Sequence, residues 1–164
     1  MRAIPDPGFP DDAGQVDPQV SAVLAAYGRD PARLHRPTLA ALQHARLLVP
    51  VVAVLGEVEH DERGIAHEKT SDMATVLMRG RDGRLALLAF TGTEPLAAWD
   101  PQARPVPVTA RTAAQAAVQD DADALLVDVA GPSLFVVEGE DLKALAEGYT
   151  LAEVRGELLW VKSG

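Results

Sequence analysis

The sequence predicts an α/β (α+β) domain in which helices pack on the faces of a mixed sheet of five or six strands. Three apolar runs, at 47–55, 73–79 and 84–90, are separated by polar or turn-forming segments. Such runs are typical of buried strands, and together these three predict an antiparallel meander. Apolar residues at helical spacing occur both before the first run and after the third, which favours helices layered on a sheet.

Residues 1–16 predict an extended arm, because proline recurs there and fixes the backbone. Asp17-Pro18 then predicts a helix start, with aspartate as the N-cap and proline in the first turn. We expect that helix to end at Gly28, since glycine commonly follows the last turn of a helix.

A second helix is expected from Asp30-Pro31 to about His44. Proline in a helix interior removes one hydrogen bond and clashes with the preceding turn. Pro37 therefore predicts a break in this helix, or a fresh start near Arg36.

The first strand of the meander contains Pro50, which cannot donate to a ladder. Either Pro50 lies at a sheet edge, or the strand proper begins at Val51. The second and third strands are joined by Gly-Arg-Asp-Gly at 80–83, and Asp-Gly is a strong hairpin signal.

After the meander, the segment 91–95 predicts a short helix through Trp99, with threonine as the N-cap and proline in the first turn. A short strand near 106–108, an alanine-rich helix that begins at Thr109 or Ala110 and ends at Gln119, and a strand at 124–129 follow. This order predicts a βαβ unit with parallel strands.

A further strand at 134–137 and a helix at 139–147 complete a single domain, which we expect to span 17–148. Residues 149–164 form a C-terminal tail. Within it, 157–162 is either a last strand or an exposed apolar segment.

Composition excludes several classes of function. The formal net charge of −9 disfavours nucleic acids and anionic membranes as partners, because both attract clustered lysine and arginine. The lack of cysteine removes disulfides, thiolate catalysis and cysteine-based metal sites. We see neither a signal-peptide pattern nor an apolar run of about 20 residues, so a cytoplasmic location is expected.

Six segments together resemble the N-terminal domain of the SseB family, which is named for enhanced serine sensitivity: IPDPGF, ARLLVPVVAVLGEVE, EKTSDMA, LLAFTGTEPLAAWDP, RPVPV and ALLVDVAGP. These segments are similar to the versions of the domain found in high-GC Gram-positive bacteria, and the resemblance covers about residues 4–148. It implies an α/β fold and a cytosolic protein. It implies no catalytic residues, because the family is described by a phenotype and not by a reaction.

Lys69-Thr70-Ser71-Asp72 is the first candidate ligand site, at the junction between an acidic loop and a strand. A cation beside two hydroxyls and a carboxylate could hold a small anionic or zwitterionic metabolite. The simpler interpretation is a polar turn in which Ser71 and Asp72 bond the local backbone.

Four residues complete the candidate ligand-binding set: Thr91, Thr93, Trp99 and Arg104. The first two open a helix directly after a strand, where free N–H groups can bind anions, although an ordinary N-cap is the simpler interpretation. Trp99 offers an aromatic plate beside the guanidinium of Arg104, with packing on the sheet as the alternative.

Asp128 lies inside a predicted strand, where an uncompensated carboxylate is costly to bury. We expect it to pair with Arg104 or Arg111, or to lie at a solvent edge, with a functional carboxylate as the alternative. His60 and His67 lack the fixed geometry of a metal site, and no serine occurs in a GxSxG motif. No catalytic residue, metal or cofactor is therefore predicted.

Three functions remain open. The first is a non-enzymatic, regulatory module that binds a protein partner through 69–72, 91–104 and the loop 56–68. The second is a protein or enzyme that binds an amino-acid-like small molecule in a pocket around Lys69–Asp72. The third is a homo-oligomer in which the tail containing Trp160 pairs with a second copy by strand addition.

Overall fold

The structure is a computed structural model, and it describes residues 12–53 and 73–162. Within these residues the five helices are α1 Pro18–Arg29, α2 Pro31–Leu42, α3 Thr93–Trp99, α4 Ala110–Gln119 and α5 Gly139–Ala146. The nine strands are β1 Arg46–Ala53, β2 Met73–Thr75, β3 Leu77–Arg79, β4 Leu85–Ala89, β5 Arg104–Thr109, β6 Ala124–Val127, β7 Phe135–Glu138, β8 Tyr149–Val154 and β9 Glu157–Lys162. No helix in the described part of the chain is long and apolar enough to cross a membrane.

The strands form three sheets, ordered β2-β1-β5, β3-β4-β6-β7 and β8-β9. All pairings are antiparallel except that of β4 with β6. The predicted class, an α/β domain with mixed strands, is confirmed. The count of strands and their division among three sheets differ from the single sheet of five or six strands that we expected.

The predicted meander is present, but its middle strand is split between two sheets. The segment 73–79 pairs with β1 through β2 and with β4 through β3, and only Val76 separates the two pieces. Leu48 and Phe90 also exchange backbone hydrogen bonds of 2.7 and 2.8 Å. This single bridge brings β1 against the end of β4 and joins the two sheets at their centre.

The predicted βαβ unit is wrong in its pairing. The strands on either side of α4 belong to different sheets, because β5 pairs with β1 while β6 pairs with β4. The parallel pair is instead β4 and β6, and its connection passes through α3, β5 and α4. The spacing of apolar residues could not decide whether β6 pairs with β5 or with β4, since both arrangements bury the same apolar strands.

Both predicted placements of Pro50 are also wrong, because it lies within β1, the central strand of its sheet. Pro50 faces Pro105 across the ladder, and Leu48 faces Pro107. Prolines cannot donate, so these are the non-hydrogen-bonded pairs of an antiparallel ladder. Leu48 accordingly directs its hydrogen bonds to Phe90 on the opposite side.

Pro37 does not break the second helix, since α2 runs through it from Pro31 to Leu42. The carbonyl that loses its partner belongs to Arg33, four residues earlier, and both residues are exposed to water. Thr38, Leu39 and Leu42, which follow the proline, are buried in the core. Burial of this last turn therefore keeps the helix continuous.

The C-terminal tail forms a hairpin, β8–β9, that packs against α2 and α5. The side-chain amide of Gln43 donates to the Leu151 carbonyl at 2.9 Å and accepts from its N–H at 2.8 Å. Arg36 donates to the carbonyl of Leu158 at 3.1 Å. Because the N–H of Leu151 is used by Gln43, it points away from β9, and the outer edge of β8 is closed there.

Trp160 is half-buried, and its indole N–H donates to Asp141 at 2.9 Å within the same chain. The alternative of an exposed apolar segment at 157–162 is thus replaced by a strand. The Trp160 side chain is thus engaged within its own chain, and homo-oligomerisation through the tail stays a prediction.

The core is built from aliphatic side chains, as the low aromatic content requires. Its larger cluster lies between the helices and the sheets, and Phe135 is fully buried in it. A smaller cluster forms around Phe90 on the other side of β4. In α4, Ala113, Ala114 and Ala117 are fully buried, because small side chains let this helix approach the strands closely.

Candidate functional site

The strongest candidate site lies at the carboxyl ends of β4 and β6. These strands are parallel neighbours, so their carboxyl ends meet at the same edge. Open α/β sheets commonly place ligand sites at this edge. Here β4 leads through Phe90 to Thr91, and β6 leads directly to Asp128.

Thr91 and Asp128 are joined by two hydrogen bonds. The backbone N–H of Thr91 donates to Oδ1 of Asp128 at 2.8 Å, and its hydroxyl donates to Oδ2 at 2.7 Å. Asp128 is only 7% exposed. It also has a φ of 60°, in the left-handed region that aspartate tolerates better than most residues.

Burial raises the pKa of the Asp128 carboxyl above its ordinary value, because a low-dielectric environment disfavours the charged form. The two hydrogen bonds from Thr91 act in the opposite direction and are the smaller effect. No ion pair to Asp128 is found within the described residues, so neither Arg104 nor Arg111 compensates it as we expected. The carboxylate instead has a hydroxyl and an amide as partners.

A cleft of about 530 Å³ opens over this pair, and we call it the carboxyl-edge cleft. Its apolar walls come from α1, α3, the turn after β6 and the segment before α1: Val16, Leu24, Ala25, Pro95, Ala98 and Pro132. Its polar groups are Ser21, Thr91, Glu94, Asp128 and Ser133. The cleft therefore offers a largely apolar surface with two carboxylates.

One rim of the cleft is formed by residues 12–16, which we call the strap. Arg46 fastens it: Nε and Nη2 contact the carboxylate of Asp12 at 2.6 and 3.2 Å, and Nη2 also donates to the Gln15 carbonyl at 2.7 Å. The same guanidinium donates through Nη1 to the Thr91 carbonyl at 2.9 Å. Arg46 thus ties the strap to the turn that carries Thr91.

Gly92 lets the strap approach closely. A Cβ on Gly92 would lie 2.5 Å from Cγ2 of Val16 and 2.9 Å from the carbonyl oxygen of Gly14. Part of this contact is with backbone, which cannot move aside as a flexible side chain can. On the far side of the strap lies a second cleft of about 390 Å³, which shares Val16 and Thr91 with the first.

Of the eight residues in the predicted ligand-binding set, four lie outside the described residues: Lys69, Thr70, Ser71 and Asp72. Of the other four, only Thr91 lines the carboxyl-edge cleft. Thr93 is exposed, and its N–H and hydroxyl both donate to the carbonyl of Gly14, at 2.7 and 3.2 Å. Thr93 therefore holds the strap through both of these hydrogen bonds.

Trp99 and Arg104 lie away from the cleft. The Trp99 ring packs on Phe90 with a centroid distance of 5.6 Å, which supports the packing alternative. Arg104 is exposed at the start of β5, opposite Val51. The structure thus does not bring these two residues together with Thr91.

Neither threonine of the segment 91–95 is the N-cap of the following helix, contrary to expectation. The cap of α3 is Gly92, which has no side chain to accept a hydrogen bond. The Thr91 hydroxyl is directed instead to Asp128, 37 residues away in sequence. A charged acceptor forms a stronger hydrogen bond than a neutral one, so the tertiary contact prevails over the local cap.

The sequence named Asp128 only as an alternative functional carboxylate, and it did not indicate Arg46 or Asp12 at this site. One signal was available for Asp128: a carboxylate directly follows the apolar run of β6. The pairing of Arg46 with Asp12 crosses 34 residues and has no local signature. Among the described residues, no group of three or more histidine, aspartate or glutamate side chains is placed to share a metal ion.

Comparisons with known proteins give one match. No curated protein and no solved structure matches the chain. The family model described as the SseB protein N-terminal domain matches residues 20–144. This range includes α1 to α5, apart from the first two residues of α1 and the last two of α5, together with Thr91, Asp128 and most of the cleft wall. The chain therefore belongs to the SseB family.

Proposed function

We propose that this protein is a non-enzymatic binding module whose carboxyl-edge cleft holds a small organic molecule. One observation carries the proposal: a cleft of about 530 Å³ with mostly apolar walls lies over a buried carboxylate, at the carboxyl ends of two parallel strands. Ligand clefts are typically about 300–1,000 Å³, apolar in the main, with a few polar groups that orient the ligand.

The chemistry of the cleft supports binding over catalysis. Nucleophilic catalysis commonly uses a nucleophile that is activated by a base within hydrogen-bond reach. Both carboxylate oxygens of Asp128 accept from Thr91, which is not a base. Ser21 and Ser133 line the cleft, and within the described residues neither hydroxyl bonds a histidine or a carboxylate.

A thermal-shift screen of metabolites with a matched pair of variants tests the proposal. Ala98 and Ala97 are adjacent, exposed residues of α3, and only Ala98 lines the cleft. Ala98→Trp should abolish the shift caused by a cleft ligand, whereas Ala97→Trp should retain it. A ligand at 100 times its Kd adds about 2.7 kcal/mol to the free energy of unfolding. A screen without any shift, or a shift that survives Ala98→Trp, would contradict the proposal.

A second candidate function, recognition of a protein partner, is favoured by the outer face of the β8–β9 hairpin. Val154 and Leu159 are 39% and 44% exposed. Leu159 lies opposite Ala152, and Val154 follows two residues later on the same face. The opposite face, with Leu151 and Trp160, packs on the body of the protein. Contiguous exposed apolar side chains often mark protein interaction surfaces.

Leu159→Glu should remove this interaction without disturbing the fold, because the side chain is exposed. Val118 provides the control, since it is 46% exposed on α4, away from the hairpin. Sedimentation of the purified chain would detect a second copy as the partner, and affinity capture from a native lysate would detect another protein. If Leu159→Glu and Val118→Glu give the same partners and the same mass, the hairpin face is not the binding surface.

A further inference from the structure

We propose that the carboxyl-edge cleft selects a protonated aliphatic amine; the inference rests on the proposed function and names its ligand class. The cleft lining contains two carboxylates, Asp128 and Glu94, and its described residues include no lysine, arginine or histidine. A ligand group placed among them is therefore favoured by carrying positive charge.

Asp128 supplies the specific contact. A carboxylate has about four lone-pair positions on its two oxygens. Thr91 uses two of them through its N–H and hydroxyl, and two remain. Because Asp128 as a residue is only 7% exposed, water has little access to these remaining positions. An ammonium group has three N–H donors and a full charge, and it would fill both positions while neutralising the buried carboxylate.

Glu94 contributes in a different way. It lies in the first turn of α3 and is exposed to water. An exposed carboxylate forms only weak ion pairs, so it adds little to the affinity. It does raise the local concentration of cations at the entrance and disfavours anions, which supports discrimination between ligands of opposite charge.

The walls define the body of the ligand. Val16, Leu24, Pro95 and Pro132 are aliphatic, and the described lining includes no aromatic ring. Planar aromatic ligands therefore find no stacking partner, and quaternary ammonium groups find no aromatic cage. An aliphatic chain that ends in a primary ammonium fits both the walls and the carboxylate.

The experiment compares three ligand series at equal chain length: n-alkylammonium chlorides, n-alkanols and sodium n-alkanoates. Binding to the full chain is measured by calorimetry and by thermal shift. We expect the ammonium series to bind best and each methylene to tighten binding by about fourfold until the cleft is filled. We also expect Asp128→Asn to weaken ammonium binding by about tenfold or more, because a charge-assisted hydrogen bond is lost.

Two controls separate the site from general attraction to an acidic protein. Glu153→Gln removes an exposed negative charge on β8 and should leave ammonium binding unchanged. Raising sodium chloride to about 0.3 M screens surface attraction much more than contact with a buried carboxylate. Ammonium binding that survives Ala98→Trp overturns the inference. The inference is also overturned if the added salt abolishes ammonium binding and Glu153→Gln weakens it as well.

The remaining outcomes distinguish this inference from the function on which it rests. If the alkanols or alkanoates bind best, and Ala98→Trp abolishes their binding, the cleft is a ligand site but its amine selectivity is refuted. If none of the three series binds and the wider metabolite screen also gives no shift, the inference and the proposed function both fail. Ammonium binding that is weakened by Asp128→Asn and abolished by Ala98→Trp supports the inference and the proposed function.

Discussion

Replacing Asp128 with asparagine tests whether burial makes this carboxylate costly to ionise. Asparagine has nearly the same size and tolerates the left-handed backbone, where φ is 60°. Its Oδ1 can accept from the N–H of Thr91, and its Nδ2 can donate to the Thr91 hydroxyl. Both contacts are thus retained, one with its direction reversed, and the main change is the loss of a buried charge.

The sign of the pH dependence follows from the direction of the pKa shift. The pKa of Asp128 in the folded protein is raised above its ordinary value of 3.8 by burial, so the folded state binds the proton more tightly than the unfolded state. The stability that this proton provides is fully present below pH 3.8 and is lost as the pH rises through the folded pKa.

One proton changes the free energy of unfolding by at most about 1.4 kcal/mol per pH unit. We take the difference in the free energy of unfolding between Asp128→Asn and the natural chain. This difference should increase from acidic to neutral pH, by less than the maximum for one proton, and then remain constant. The slope ends where the folded carboxyl is fully ionised, so the curve also reports its pKa.

Urea unfolding between about pH 4 and pH 8 measures this difference. Glu153→Gln serves as the matched control, because it removes an exposed carboxylate of β8 that does not line the cleft. A constant difference for Asp128→Asn across this range would refute the argument, since it would mean that burial does not raise the pKa. A difference that falls as pH rises would refute it more directly.

Three further changes test the fold around the site. Gly92→Ala should lower the free energy of unfolding by about 1–3 kcal/mol, because its Cβ would meet the backbone of the strap, whereas Gly131→Ala should be tolerated, since its Cβ meets nothing closer than 3.5 Å. Gln43→Ala should cost about 1–3 kcal/mol, because it leaves the N–H and carbonyl at the edge of β8 without partners. Pro37→Ala should stabilise the protein by about 1–3 kcal/mol, because it restores a helical hydrogen bond.

Denaturant unfolding gives the first readout for all three, and each has its own contradicting result. Equal stability of the Gly92 and Gly131 variants would mean that the strap does not lie against this turn. An unchanged edge of β8 in Gln43→Ala, judged by amide hydrogen exchange at Leu151, would exclude the amide cap. A loss of stability in Pro37→Ala would show that the proline rigidifies the unfolded chain more than it disturbs α2.

Features that depend on neighbouring residues were predictable. Asp17 caps α1 and Thr109 caps α4 through side-chain bonds to the following turn, and both starts were predicted. The Asp-Gly turn before β4 also lies where expected, with Gly83 at a φ of 85°. In each case the interacting atoms are fewer than five residues apart.

Features that depend on residues distant in sequence were not predictable. Nothing near Pro50 indicates that Pro105 will face it across a ladder, so its place in a central strand could not be foreseen. The same holds for the closed edge of β8, where the cap comes from Gln43, 108 residues earlier. Tertiary packing decides which residues become the partners of the backbone groups in these places, and the local sequence does not indicate those partners.

The sequence by itself determined the class of fold, the starts of α1, α2 and α4, the hairpin turn and the membership of the SseB family. Only the tertiary structure decided that β4 and β6 are parallel neighbours, and therefore that Thr91 and Asp128 meet. The physical reason is that a hydroxyl can satisfy either a local helix cap or a distant carboxylate. The hydroxyl of Thr91 bonds the distant carboxylate if the fold places a buried acid within hydrogen-bond distance. Here the end of β6 places Asp128 in that position.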